Sequence, residues 1–94
     1  MKTPAFNPRF TRKSRYGICT VTDTEKNITY HLNRRESFAL QLAESCTGYE
    51  AERKFSEKYI KDSDTADESR KRALYDEYRE YESNFIRSGI LVRP

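Results

Sequence analysis

Two cysteines, one histidine and several acidic pairs are the residues of this 94-residue chain whose types could support chemistry. Cys19, Cys46 and His31 could bind a metal or supply a nucleophile and its base. The two cysteines lie far apart, no CxxC or HxxxH spacing occurs, and three such residues fall short of the four ligands that a structural zinc site needs. We therefore expect no metal, no cofactor and reduced thiols.

Adjacent carboxylates could act as general acid and base if burial raised the pKa of one of them. The pairs Asp76/Glu77 and Glu80/Glu82 lie in a strongly charged stretch, which is typical of a solvated helix face. The chain has only three glycines and contains no phosphate-binding loop, dinucleotide fingerprint or serine nucleophile elbow. The sequence favours a binding module without catalytic residues over an enzyme.

The composition limits the protein to one small domain. Charged residues make up 35% of the chain and hydrophobic residues another 35%, which is close to the composition of disordered chains. Seven tyrosines add apolar area that can support a core. No apolar run approaches the length of a membrane helix, and the N-terminus lacks the apolar segment of a signal peptide. We expect a cytoplasmic protein without a membrane partner.

Positive charge is concentrated at the N-terminus. The first fifteen residues hold five cations and no acid, namely Lys2, Arg9, Arg12, Lys13 and Arg15. Pro4 and Pro8 disfavour a helix there. We expect residues 1–11 to be a basic, flexible arm and residues 12–94 to be the folded domain. Such an arm is compatible with binding to nucleic acid or an acidic peptide, and equally with a solvated tail.

The first half of the domain has the pattern of strands. Residues 16–22 combine β-branched and aromatic residues, and Ile28, Tyr30 and Leu32 alternate with polar neighbours, as in a half-buried strand. The polar residues 23–27 between them predict a hairpin loop of four or five residues. Residues 9–13 are a candidate for one further strand.

The second half has the period and the capping signals of three helices. Asn33 with Glu36 approximates a capping box before a helix that ends near Cys46. T-x-x-E boxes open the other two, at residues 47–50 and 65–68, and Gly89 is placed to end the last. The apolar stripes consist of Phe38, Ala39, Leu42 and Ala43, then Ala51, Phe55 and Tyr59, then Leu74, Tyr78, Tyr81 and Phe85. The prediction is an α+β, winged-helix-like domain, with two or three antiparallel strands before three helices.

This order of elements resembles the PqqD-like domains, also called RiPP recognition elements. The hairpin that ends in Leu32-Asn33 resembles the family's second and third strands. The segments RRESFALQLAESCTG and YEAERKFSEKY resemble its first and second helices, and Gly89-Ile90-Leu91 matches the turn and two aliphatic residues after its last helix. The resemblance covers residues 12 to about 92. Arg34-Arg35 and the tyrosines of the last helix depart from the family pattern, which favours a stand-alone protein outside the quinone-cofactor pathway.

The resemblance implies a function. Members of the family bind the leader segment of a ribosomally made precursor peptide as an added strand, in a groove between the third strand and the last helix. They deliver the precursor to a modifying enzyme, often a radical-SAM enzyme, and need no cofactor themselves. Carried over to this chain, the peptide-binding residues would be Ile28, Thr29, Tyr30, His31 and Leu32 on the strand, and Lys71, Tyr75, Tyr78, Arg79 and Glu82 on the helix, with Tyr78 also a candidate for the core.

The alternative is a winged-helix DNA-binding regulator, which shares this order of elements. A recognition helix should carry an excess of Lys and Arg on its outer face. Here the second helix is balanced in charge and the third is slightly acidic, so only the N-terminal segment provides positive potential. The sequence therefore makes nucleic acid an unlikely partner and a peptide the favoured one.

Overall fold

The computed structural model describes residues 3–60 and 68–93. The elements in chain order are β1 (Ala5–Phe6), β2 (Phe10–Arg15), β3 (Ile18–Asp23), β4 (Ile28–His31), α1 (Arg34–Ser45), α2 (Gly48–Tyr59), α3 (Glu68–Ser88) and β5 (Leu91–Val92). The prediction of an α+β domain with an N-terminal antiparallel sheet followed by three helices is confirmed.

The main sheet has the strand order β2-β3-β4, and both pairings are antiparallel. Arg15 pairs with Ile18, so Tyr16 and Gly17 alone form the first turn, and both have positive φ (54° and 75°), as a type I′ hairpin requires. Asp23 shapes the next turn, because its carboxylate accepts the main-chain N–H groups of Glu25 and Lys26 at 3.0 and 3.1 Å. The direction of β4 thus depends on a buried acid at the end of β3.

Part of the expected basic arm is paired with the C-terminus. In a second, two-stranded sheet, Ala5 faces Val92 and Phe6 faces Leu91. Phe10 is buried at 3% exposure, and Arg9 forms an ion pair with Asp23 at 3.3 Å. The chain between residues 3 and 10 is therefore structured by contacts with the domain, although its charge and prolines suggested an independent segment.

Local capping signals set the beginnings and ends of the helices. Asn33 and Glu36 form the predicted capping box, with bonds of 2.8 and 3.0 Å in the two directions. Thr47 is the N-cap of α2 but makes no side-chain capping bond. Gly89 follows α3 with φ 86°, a left-handed conformation that stops a helix at little cost for glycine. The third predicted box begins at Thr65, and its residues 65–67 lie outside the described residues.

The core forms where the helices cover one face of the main sheet. Val21 and Leu32 contribute from the strands, and the buried residues of the helices are Ala39, Leu40, Leu42, Ala43, Cys46, Ala51, Phe55, Tyr78 and Phe85. Phe55 is the centre of the aromatic packing, with ring centroids of Phe38, Tyr59, Tyr78 and Tyr81 at 4.9 to 6.4 Å. The predicted stripes on all three helices face this core.

Candidate functional site

Strand β4 has one open edge. It pairs with β3 on one side, and in the described part of the chain no strand pairs with its other side. Leu32 donates its N–H to the carbonyl of Cys19 at 3.0 Å, which fixes the alternation of the ladder. Residues 28, 30 and 32 therefore direct their main-chain groups towards β3, whereas Thr29 and His31 direct their N–H and C=O groups outwards. These two residues offer hydrogen-bonding groups to an incoming strand.

The side chains of β4 divide between the two faces of the sheet. Tyr30 pairs with the buried Val21, so Ile28, Tyr30 and Leu32 share the core face. Leu32 is 6% exposed, whereas Ile28 is 44% exposed and Tyr30 is half-buried. Thr29 and His31 are exposed on the outer face. Ile28 and Tyr30 thus provide an accessible apolar surface next to the open edge.

A hydrogen-bonded network joins α3 to the start of α1, shortly after the end of β4. Arg35 donates from Nη1 to the two carboxylate oxygens of Glu77, at 2.8 and 3.0 Å. Tyr81 donates its hydroxyl to Glu77 Oε2 at 2.8 Å. Burial and this bond to Glu77 together raise the pKa of the Tyr81 hydroxyl to about 12. Glu77 and Tyr81 therefore lie on the side of α3 that faces the start of α1.

The opposite flank of α3 faces α2. Arg79 donates from Nε and Nη2 to the carboxylate of Glu52, at 2.6 and 3.2 Å. Two helical positions separate Arg79 from Glu77, which is a rotation of about 200° around the helix. Tyr75 and Glu82 lie within about 60° of Arg79 around the helix, and Lys71 is paired with Glu68 at 3.8 Å. Arg79 is thus engaged with α2, whereas a role for Lys71, Tyr75 and Glu82 beside β4 stays a prediction.

Tyr78 is a core residue, and the prediction that it lines a groove is corrected. Its side chain is 1% exposed and its ring centroid lies 5.8 Å from that of Phe55. Its hydroxyl donates to Glu82 Oε2 at 3.1 Å. Burial, and the nearby Glu82 carboxylate, raise the pKa of this phenol well above its usual range. A peptide could reach this ring only if the helices separated.

The cysteines and the histidine differ in their exposure. Cys19 and Cys46 are free and buried, and His31 is exposed on the sheet. Across residues 3–60 and 68–93, no group of three His, Cys, Asp or Glu side chains is placed to hold a metal ion. The accessible groups of β4 are hydrogen-bond donors, hydrogen-bond acceptors and apolar side chains. Groups of these kinds suit the binding of a partner molecule.

Most cations of α2 are neutralised by neighbouring acids. Arg53 pairs with Glu57 at 2.7 Å and Lys54 with Glu50 at 3.2 Å. Glu52 is taken by Arg79. Because phosphate binding requires net positive potential, this helix is a poor candidate for the DNA groove. None of the described helices has the length and apolar character to cross a membrane.

The comparisons with known proteins identify a shared fold. No protein-family model matches the chain, and no curated protein matches it. Among solved structures, the chain is similar to "TbiB1 in Complex with the TbiA(beta) Leader Peptide", with a TM-score of 0.72 and 12% sequence identity. The superposition covers 97% of this chain and 94% of that chain. The two proteins therefore share one fold over nearly their whole lengths, at a low level of sequence identity.

Proposed function

We propose that this protein is a non-catalytic recognition module for the leader region of a ribosomally synthesised precursor peptide. The observation that carries the proposal is the open edge of β4, where Thr29 and His31 present unpaired main-chain groups. The similarity in fold to a protein solved with a leader peptide supports this use of the edge.

In this proposal the leader adds a fourth strand to the main sheet. Its main-chain groups bond those of Thr29 and His31, which provides affinity largely independent of sequence. Side chains on the core side of the leader contact Ile28 and Tyr30, so aliphatic and aromatic leader residues suit these positions. Leu32 supports the strand from the core.

The helical wall of the proposed groove differs from the prediction. The wall that we propose is a stripe of α3 at helical spacing that starts at Glu77, which we call the groove flank: Glu77, Tyr81, Asn84 and Ser88. Asn84 is exposed and the other three are half-buried, as expected for residues that line an open groove. The groove flank takes the place of Lys71, Tyr75, Arg79 and Glu82 in our proposal.

The bound precursor is delivered to a peptide-modifying enzyme in the cytoplasm, with radical-SAM enzymes as one candidate class. A binding module of this size needs such a partner to act on the peptide. The DNA-binding alternative has less support, because acids of α2 and α3 already pair with Arg53, Lys54, Lys71 and Arg79 on those helices.

A matched pair of variants at His31 tests strand addition. His31→Pro removes an N–H that points away from β3, so the ladder inside the sheet stays complete and the fold is retained, as for proline on edge strands. His31→Ala removes only an exposed side chain. We expect calorimetric titration with the leader to give wild-type affinity for His31→Ala and a loss of about tenfold or more for His31→Pro.

Circular dichroism is the control for folding of both variants. Equal affinity of the folded proline variant and the wild type would contradict strand addition at β4. Weakening by His31→Ala alone would assign the contact to the imidazole instead of the main chain. Tight binding of duplex DNA at physiological salt, with no leader binding, would replace the proposal by the DNA-binding alternative.

A further inference from the structure

A cavity of about 510 Å³ lies between the β2–β3 hairpin, α1 and the C-terminal end of α2. None of the described residues that line it belongs to β4 or α3, so it is distinct from the proposed leader edge. Phe38 and Tyr59 provide aromatic surface, and Ser14 and Gln41 add polar side chains. A volume of this size accommodates a few side chains or a small molecule.

The cavity carries an excess of positive charge. Arg12, Arg34 and Lys58 line it, whereas Glu44 is its one carboxylate among the lining residues. Arg12 binds Glu44 through both guanidinium nitrogens, with Nη2 2.9 Å from Oε1, so these two charges cancel. Within the described ranges, Arg34 and Lys58 form no ion pair with a carboxylate. Two positive charges thus face the cavity without an acidic partner.

Both unpaired cations are held by neighbours that are not acids. Lys58 Nζ lies 4.2 Å from the centroid of the Phe38 ring and 6.0 Å from that of Tyr59. Arg34 extends towards the hairpin turn, where Nη1 would stand 3.2 Å from a β-carbon added to Gly17. Cations next to aromatic faces suit a ligand that combines an anion with an apolar group.

The cavity borders the second open edge of the main sheet. Thr24 donates its N–H to the carbonyl of Arg9 at 3.2 Å, so odd-numbered residues of β2 bond to β3. Arg12 and Ser14 therefore direct their main-chain groups away from β3, and no described strand pairs with that edge. Their side chains lie on the cavity side of the sheet. A strand added there would direct alternate side chains towards the cavity.

We infer that this cavity and the open edge of β2 form a second peptide site, which takes an extended acidic segment. An Asp or Glu of that segment places its carboxylate between Arg34 and Lys58 in charge-assisted hydrogen bonds. An apolar residue two positions away, on the same side of the strand, contacts Phe38 and Tyr59. The basic side chains of β2 complement an acidic segment along the edge. The site is independent of the leader edge at β4.

The test uses a blocked pentapeptide as the probe. The peptide acetyl-Thr-Phe-Thr-Glu-Thr-amide carries the acid and the aromatic group at the required spacing, and its glutamine analogue lacks only the charge. Titration followed by amide NMR should shift the signals of Ser14, Cys19 and Gln41. We expect the glutamine analogue to bind about tenfold more weakly or worse.

Charge variants test the two cations separately. Lys58→Gln and Arg34→Gln should each weaken the acidic probe by about tenfold. Lys54→Gln is the matched control, because Lys54 is exposed, lies one turn earlier on α2 and is outside the cavity. The Lys54→Gln variant should bind the acidic probe with an affinity within about twofold of that of the wild type. His31→Pro should bind the probe normally, which separates this site from the leader edge.

Three outcomes would overturn the inference. The first is the absence of amide shifts at a probe concentration of about 10 mM, which excludes even millimolar affinity. The second is equal binding of the glutamine analogue, which would remove the role of the carboxylate. The third is equal weakening by Lys54→Gln and Lys58→Gln, which would show general attraction to a basic protein.

Discussion

Arg35 on α1 donates to both carboxylate oxygens of Glu77 on α3, at 2.8 and 3.0 Å. Arg35 follows the last residue of β4 by four positions, so this bidentate pair joins α3 to the chain just beyond the proposed leader edge. Tyr81 binds the same carboxylate and extends the connection along the helix. Three side chains therefore join α3 to the start of α1.

Loss of the Glu77 charge should weaken leader binding more than it weakens the fold. The side chains of Arg35 and Glu77 are 43% and 27% exposed, so their pair contributes only about 0.5–1 kcal/mol to the free energy of unfolding. Glu77→Gln releases this end of the groove flank, and we expect a threefold to tenfold loss of leader affinity, about 0.7–1.4 kcal/mol. Calorimetry and urea unfolding measure the two effects. Glu80→Gln, on the exposed side of α3, is the control and should change neither quantity.

The Tyr81 hydroxyl should make stability fall at high pH. Burial and the Glu77 carboxylate raise its pKa to about 12, whereas an unfolded tyrosine has a pKa of about 10. Below about pH 10 both states keep the proton, and the stabilisation is complete. Between about pH 10 and 12 the unfolded chain releases a proton that the folded chain keeps, so the free energy of unfolding falls as the pH rises. Urea unfolding across this range should give a shallower decline for Tyr81→Phe, and an unchanged slope would contradict this role.

The leader should stabilise the folded protein by mass action. A ligand at about 100 times its Kd adds about 2.7 kcal/mol to the free energy of unfolding. For a domain of this size that corresponds to a Tm increase of about 10 to 20 °C. Differential scanning fluorimetry measures it, with His31→Pro as the variant that should lose most of the shift. An equal Tm increase in the wild type and in His31→Pro would show that the leader binds at a site other than β4.

The turn before β4 should depend on Asp23. This residue is 2% exposed, accepts two main-chain N–H groups and pairs with Arg9. Asp23→Ala should lower the free energy of unfolding by about 1–3 kcal/mol, because two main-chain donors and the Arg9 guanidinium lose a charged acceptor. Asp23→Asn keeps an oxygen for the two N–H groups and should cost less. If urea unfolding showed the same loss of free energy of unfolding for both variants, the whole effect would come from the negative charge of Asp23.

Local signals predicted most of the elements. The capping box of Asn33 and Glu36 depends on residues three positions apart, and the period-2 pattern of residues 28–32 requires no partner to be recognised. Gly89 likewise marks the end of α3 through its own conformation. Thus the three helices, the β3–β4 hairpin and the open strand were accessible to sequence reasoning.

Two features depended on contacts between distant residues. The pairing of Ala5–Phe6 with Leu91–Val92 joins opposite ends of the chain, and two-residue strands have no periodicity of their own. The second feature is the orientation of α3 about its own axis. Its apolar stripe identifies the buried face, but the flank that borders α2 is set by the Arg79–Glu52 pair. Tyr78 accordingly lies in the core, whereas the other helix residues chosen for the groove stay a prediction.

Hydrogen exchange of the β4 amides tests the central claim most directly. In the free protein the N–H groups of Thr29 and His31 point away from β3 and should exchange rapidly, whereas those of Tyr30 and Leu32 are held in the ladder. Saturation with the leader should slow exchange at Thr29 and His31 by about a hundredfold, as expected for amides enclosed in a new strand pair. Unchanged exchange at these two amides in the leader-saturated protein would contradict recognition by strand addition at β4.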